Sequence, residues 1–176
     1  MNNAALVILM AFFDICLFRK RPQDLPASPA FLFMCLLIYT LTSFVLALLS
    51  QNTLYAAVAG VIETILIMLV TYFFLKLKNV QQRWMQATTA LSGTGIIFSL
   101  LAIPLFFWMA SSGDAQSVHV LLYLLVVALV VWNIAVMAHV IRHSLSVSFT
   151  AGVCIALVYI WLIASAVNVI SPQQAA

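Results

Sequence analysis

Charge is what this chain has least of. Its 176 residues hold seven Lys and Arg and four Asp and Glu, together 6%, where a water-soluble domain carries roughly 25%. No water-soluble surface can be assembled from so few, least of all when 66% of the residues are hydrophobic. Turn formers are scarce as well. Five Gly and five Pro leave no glycine-rich phosphate loop, no low-complexity linker and no obvious internal repeat. The three cysteines, Cys16, Cys35 and Cys154, stand singly, without CxxC or Cys/His ligand spacing, and read as small packing residues. There is no HExxH pattern, and Ser144, Ser146 and Ser148 follow His143 without forming a triad. The chain is therefore expected not to be an enzyme, and to use no cofactor and no metal.

What is present is a series of long apolar runs. Five are long enough to cross a bilayer, at about 20 residues per crossing: 29–49, 54–75, 88–109, 118–140 and 149–170. Runs of that length favour helices over barrel strands, since strands would alternate in polarity. Each helix satisfies its own backbone in hydrocarbon. The expected fold class is all-α, a polytopic transmembrane bundle of about five spanning helices with a short N-terminal interfacial helix. It forms one membrane domain, 1–176: an interfacial helix and proline-bearing segment over 1–28, five helices over 29–170, and an external tail, 171–176. Ser28 suits the N-cap of the first span and Pro29 its first turn. The earlier stretch 4–18 would extend only about 22 Å as a helix, short of a ~30 Å core. It holds Asp14 and runs into Arg19-Lys20-Arg21. An interfacial or partly inserted helix is preferred there over a sixth span.

The net charge of +3 would raise nucleic acid as a partner in a soluble protein. Here the basic residues lie in short loops beside apolar runs, so they read as topology and lipid contact, with no nucleic acid. Arg19, Lys20, Arg21, Lys76, Lys78, Arg83 and Arg142 all fall on one side of the proposed topology. The positive-inside rule makes that side cytoplasmic.

Few polar residues lie within the spans, and Glu63 is the foremost. It sits near the midplane of the second span, where a charged acid costs at least ~2.5–3.5 kcal/mol. It is expected to be protonated, paired or in a wet cavity, as a proton or cation site or as a hydrogen bond between helices. Asn133 joins it as a candidate intramembrane polar site. Ala56-xxx-Gly60, Gly95-xxx-Ser99 and Gly152-xxx-Ala156 permit close backbone approach, so Ala56, Gly60, Gly95 and Gly152 are expected at helix contacts. Pro104 is expected to kink the third span. His139, Arg142 and His143 cluster at the end of the fourth span, where cations complement the helix dipole. The stiff, charged segment 19–29, with Arg19, Lys20, Arg21 and Asp24, together with Arg83, is a candidate surface for docking a partner or lipid headgroups.

The proline-bearing segment Arg21–Pro29, the stretch Gln82-Arg83-Trp84, and the run from Trp132 to Arg142 leading into Ser146–Gly152 resemble the Yip-type, Rab-interacting membrane proteins and their bacterial relatives. The resemblance implies five membrane helices, a cytoplasmic N-terminus and a role in organising other membrane proteins, with no enzymatic activity. The long N-terminal region of the eukaryotic members has no counterpart in this sequence, so a GTPase partner is not carried over. The expectation is a small relative in the bacterial inner (cytoplasmic) membrane. It would act as a scaffold or accessory subunit, in contact with membrane lipids and with other membrane proteins or copies of itself. The alternative is a small transporter or proton-coupled carrier centred on Glu63.

Overall fold

Ser28 and Pro29 start the first long helix as their chemistry requires. Ser28 is extended, its hydroxyl accepts the Phe31 N–H at 3.5 Å, and Pro29 opens the helix. The computed structural model describes residues 3–50, 52–111 and 116–170. Among these, all regular structure is helical: α1 (Asn3–Cys16), α2 (Pro29–Leu48), α3 (Thr53–Leu77), α4 (Trp84–Ser111), α5 (Gln116–Leu145) and α6 (Phe149–Ile170), with short 3-10 turns at Pro22–Asp24 and Gln81–Arg83. The five helices α2 to α6 are long and apolar enough to span, and the chain is a multi-pass integral membrane protein. The expected external tail, 171–176, lies outside the described residues.

Two helices outrun their apolar runs. α4 starts at Trp84, four residues before the expected 88, and α5 continues to Leu145, beyond 140. The added turns carry Gln86, Arg142 and His143, whose long side chains keep their polar ends at the membrane surface. α4 also continues through Pro104.

α4 is the central post. Half of its spanning stretch is buried, against 11% for α5. It packs against α1, α2, α3 and α5, while α6 closes against α5 and α3. The small residues lie at the closest approaches. A Cβ on Gly60 would come 3.0 Å from the Thr40 carbonyl of α2, and one on Gly152 2.7 Å from the Ala138 carbonyl of α5. Gly95 faces the Tyr39 ring, and Ala56 is fully buried. Gly60 and Gly152 thus sit where two helix backbones come close.

α1 is too short to cross, at 14 residues or about 21 Å. It docks inside the bundle's outline instead of floating on the surface. Phe12, Ile15 and Cys16 are buried, Phe12 fits the notch left by Gly93, and its ring stacks on Phe31 at 5.9 Å. Its opposite face, with Leu6, Val7, Leu9, Met10 and Phe13, is apolar and exposed. That face carries no basic residue, unlike the polar face of a typical in-plane amphipathic helix.

The ends of α1, α3 and α5 share one cap. Arg19 N–H reaches the Asp14 carbonyl at 2.8 Å, Val80 N–H reaches Leu75 at 2.9 Å, and Val147 N–H reaches Arg142 at 3.1 Å. Each bond closes over a residue with positive φ, namely Phe18, Asn79 and Ser146. These are Schellman closures, which normally take Gly or Asn. A phenylalanine in the left-handed region costs roughly 1–2 kcal/mol, and the ring contact that Phe18 makes is described below.

Candidate functional site

Within the spans, the polar side chains meet mainly along α2 and α3. Thr40 Oγ1 and Thr64 Oγ1 are 2.7 Å apart, and each hydroxyl also reaches a carbonyl one turn back on its own helix. Glu63 is half-buried beside the Ser43 hydroxyl, with Tyr39 and Tyr159 in electrostatic reach. The Tyr159 and Thr71 hydroxyls face one another, but neither closes a bond of hydrogen-bonding geometry. They line a small cavity of about 20 Å³ between α3, α4, α5 and α6, room for one water at most. Glu63 is not part of its lining. Asn133 is half-buried on α5, and its side-chain amide has no hydrogen-bond partner among the described residues. Nothing there joins it to Glu63.

The basic end is built differently. Helix C-termini leave carbonyls unsatisfied, and at this end side chains from distant parts of the chain take them. Arg83 Nη1 donates to the carbonyls of His143 (3.4 Å) and Ser144 (3.2 Å) and to Ser146 Oγ (3.0 Å). Gln23 Nε2 donates to the His143 carbonyl at 2.6 Å, and Gln86 Nε2 to those of Gln23 and Leu25 at 3.1 and 3.0 Å. Trp132 Nε1 donates to Cys16 at 3.0 Å, and Trp84 Nε1 to Met68 at 3.1 Å. His139, itself buried, holds the Lys20 carbonyl through Nε2 at 3.0 Å. Since a carbonyl only accepts, Nε2 carries the proton. The His139 ring meets Phe18 edge-on at 5.2 Å and His143 at 4.6 Å. The ring contact and the bond to the Lys20 carbonyl together tie the segment after α1 to α5.

The result is an open cavity of about 550 Å³ lined by Phe18, Arg19, Lys20, Arg21, His139, Arg142, His143 and Phe149. Lys20 pairs with Asp14 at 3.2 Å, the one ion pair among the described residues. Asp24 accepts the Arg21 backbone N–H at 2.8 Å.

The five residues read as a docking surface therefore separate. Arg19, Lys20 and Arg21 line the cavity, Asp24 caps the adjoining 3-10 turn, and Arg83 is occupied in closing the end of α5. Arg142, read from sequence as a topology marker and dipole partner, and His143, read as a dipole partner, belong to the same cavity as Arg19–Arg21. Their shared basic character and their shared side of the membrane were the available signals. Gln23, Gln86 and Trp132 were not legible as ties, because their partners are backbone carbonyls as many as 120 residues away. No protein-family model, curated protein or solved structure matches this chain.

Proposed function

We propose that this chain is a non-enzymatic scaffold or accessory subunit that binds other membrane proteins or copies of itself, as the resemblance to Yip-type proteins implies. Its place is a bacterial cytoplasmic membrane, with the basic end inside by the positive-inside rule. Asn133 carries the reading. It lies near the middle of α5, the helix that the bundle covers least, and its amide is unpartnered among the described residues. An unpaired amide in an apolar setting costs roughly 1–3 kcal/mol by mutational measures. A hydrogen bond across to another transmembrane helix contributes about 0.6–2 kcal/mol, so a neighbouring chain against α5 offsets that cost. The carrier reading has less support, because Glu63 lines neither cavity and the nearby hydroxyls bridge α2 and α3.

A photo-crosslinker at Val131, exposed on α5, tests this in native membranes. A discrete protein partner or a homodimer, lost in Asn133→Leu, is the expected result. Capture of lipid alone would overturn it. Thiol labelling checks the orientation: Lys78→Cys should react only from the cytoplasmic side and Asn52→Cys only from the outer side.

A further inference from the structure

The cavity at the basic end does more than close the bundle. The carbonyls that cations would normally serve there are already occupied by Arg83, Gln23 and His139. Among the described residues, the guanidinium groups of Arg19, Arg21 and Arg142 donate no hydrogen bond and meet no acid within ion-pair distance. Three such groups line one concavity, with His139 and His143 between them. Asp24 and Asp14 are the acids nearby, one holding a backbone N–H and the other Lys20. Positive charge gathered this closely repels itself unless an anion enters. Guanidinium forks match the paired oxygens of a phosphate.

Phe18 and Phe149 indicate the source of that phosphate. Both are exposed apolar rings, 44% and 41% accessible, and both line the same cavity as the cations. Cations beside exposed aromatic rings suit an amphiphile better than a free ion. The volume, about 550 Å³, falls within the range of about 300–1,000 Å³ usual for small-molecule sites. A basic pocket at the membrane surface, between helix ends, is also where lipid headgroups are bound.

We propose that this cradle binds the phosphodiester headgroup of an anionic phospholipid, with Arg19, Arg21 and Arg142 on the phosphate and Phe18 and Phe149 against the glycerol and upper acyl chain. The site stands apart from the scaffold reading: it needs only the membrane and these side chains.

The test uses the full chain, purified in detergent and equilibrated with an equimolar mixture of phosphatidylglycerol and phosphatidylcholine, with retained lipid counted by mass spectrometry. The wild type should enrich phosphatidylglycerol. Each basic residue at an anionic surface contributes roughly fivefold, so R19Q, at an exposed position that leaves folding intact, should lower the ratio about fivefold. R19Q/R142Q should lower it on the order of twentyfold. K76Q/K78Q removes as much charge from the same end but outside the cradle, where salt screens its attraction for a lipid held there, and should leave the ratio within about twofold. Equal retention of both lipids by the wild type, or a loss in K76Q/K78Q matching that in R19Q/R142Q, would overturn the site. In a further arm, inorganic phosphate is added to the loaded protein. Retained phosphatidylglycerol supports the lipid assignment, whereas displacement by phosphate would overturn it in favour of a soluble phosphate ligand.

Discussion

The two ends of this bundle are held by different forces. At the basic end, hydrogen bonds join residues 16 to 120 positions apart, most of them 60 or more, and nearly all run from a side-chain donor to a backbone carbonyl. At the opposite end, the described hydrogen bonds are local: Asn52 caps α3 through the Tyr55 N–H, and Ser50 and Ser111 each reach back three residues. Over residues 119–131 of α5, Leu122 alone is buried. One end is clamped by long-range hydrogen bonds, while at the other α5 is little covered by its neighbours. In lipid this asymmetry follows from what each force needs. Apolar surface gains little by leaving hydrocarbon, so association depends on close packing and on polar ties. The ties cluster where the C-termini of α1 and α5 and the loop after α1 offer carbonyls.

Four changes would break or sharpen this contrast. The largest effect is expected from Gly152→Leu, whose side chain would be driven into the Ala138 carbonyl. Backbone cannot yield as a side-chain tip does, so α5 and α6 should part at a cost of about 3 kcal/mol, seen as loss of folded protein on gel filtration. Next comes Arg83→Ala, which strips three acceptors at the clamped end. A bond from a charged donor contributes about 1.5–3 kcal/mol, so its thermal midpoint should fall by roughly 4–10 °C at this chain size.

Trp132→Phe is smaller. It keeps an aromatic ring against Phe98 but loses the N–H to the Cys16 carbonyl, at about 1 kcal/mol. Burial pushes the Cys16 thiol up to about 11, so at pH 8 the wild type should label very slowly with maleimide. The rate should rise in the variant as the end of α1 loosens; an unchanged rate would mean that the tie is not what holds it. The smallest effect has the opposite sign. Asn133→Leu in the purified monomer removes an unpartnered amide, and should leave stability unchanged or raise it by up to about 1 kcal/mol. A clear loss of stability there would show that Asn133 is tied within the bundle, and that the two ends differ less than described.

Legibility in the sequence followed the same division. Ser28 and Pro29 could be read because capping is local chemistry. The depth of Glu63 could be read by counting along a helix, and the sorting of all seven cations by counting along the chain. The role of Arg83 as a tie was not legible, because its partners are backbone carbonyls on α5 about 60 residues away. Phe18 could not be anticipated at all. Nothing local favours a phenylalanine in a left-handed cap, and the His139 ring that meets it comes from across the bundle.

The sequence by itself determined the solvent, the number of spans and the end at which charge collects. Each of these depends on hydropathy and charge summed over neighbouring residues, and lipid imposes them segment by segment. Only the tertiary structure decided that α4 is the central post, that α6 closes against α3, and that Arg19–Arg21 meet Arg142 across one cavity. The spans are apolar on nearly every face, so no hydrophobic stripe marks which side turns inward. Lateral order then rests on shape and on a few long-range hydrogen bonds, which sequence spacing does not record.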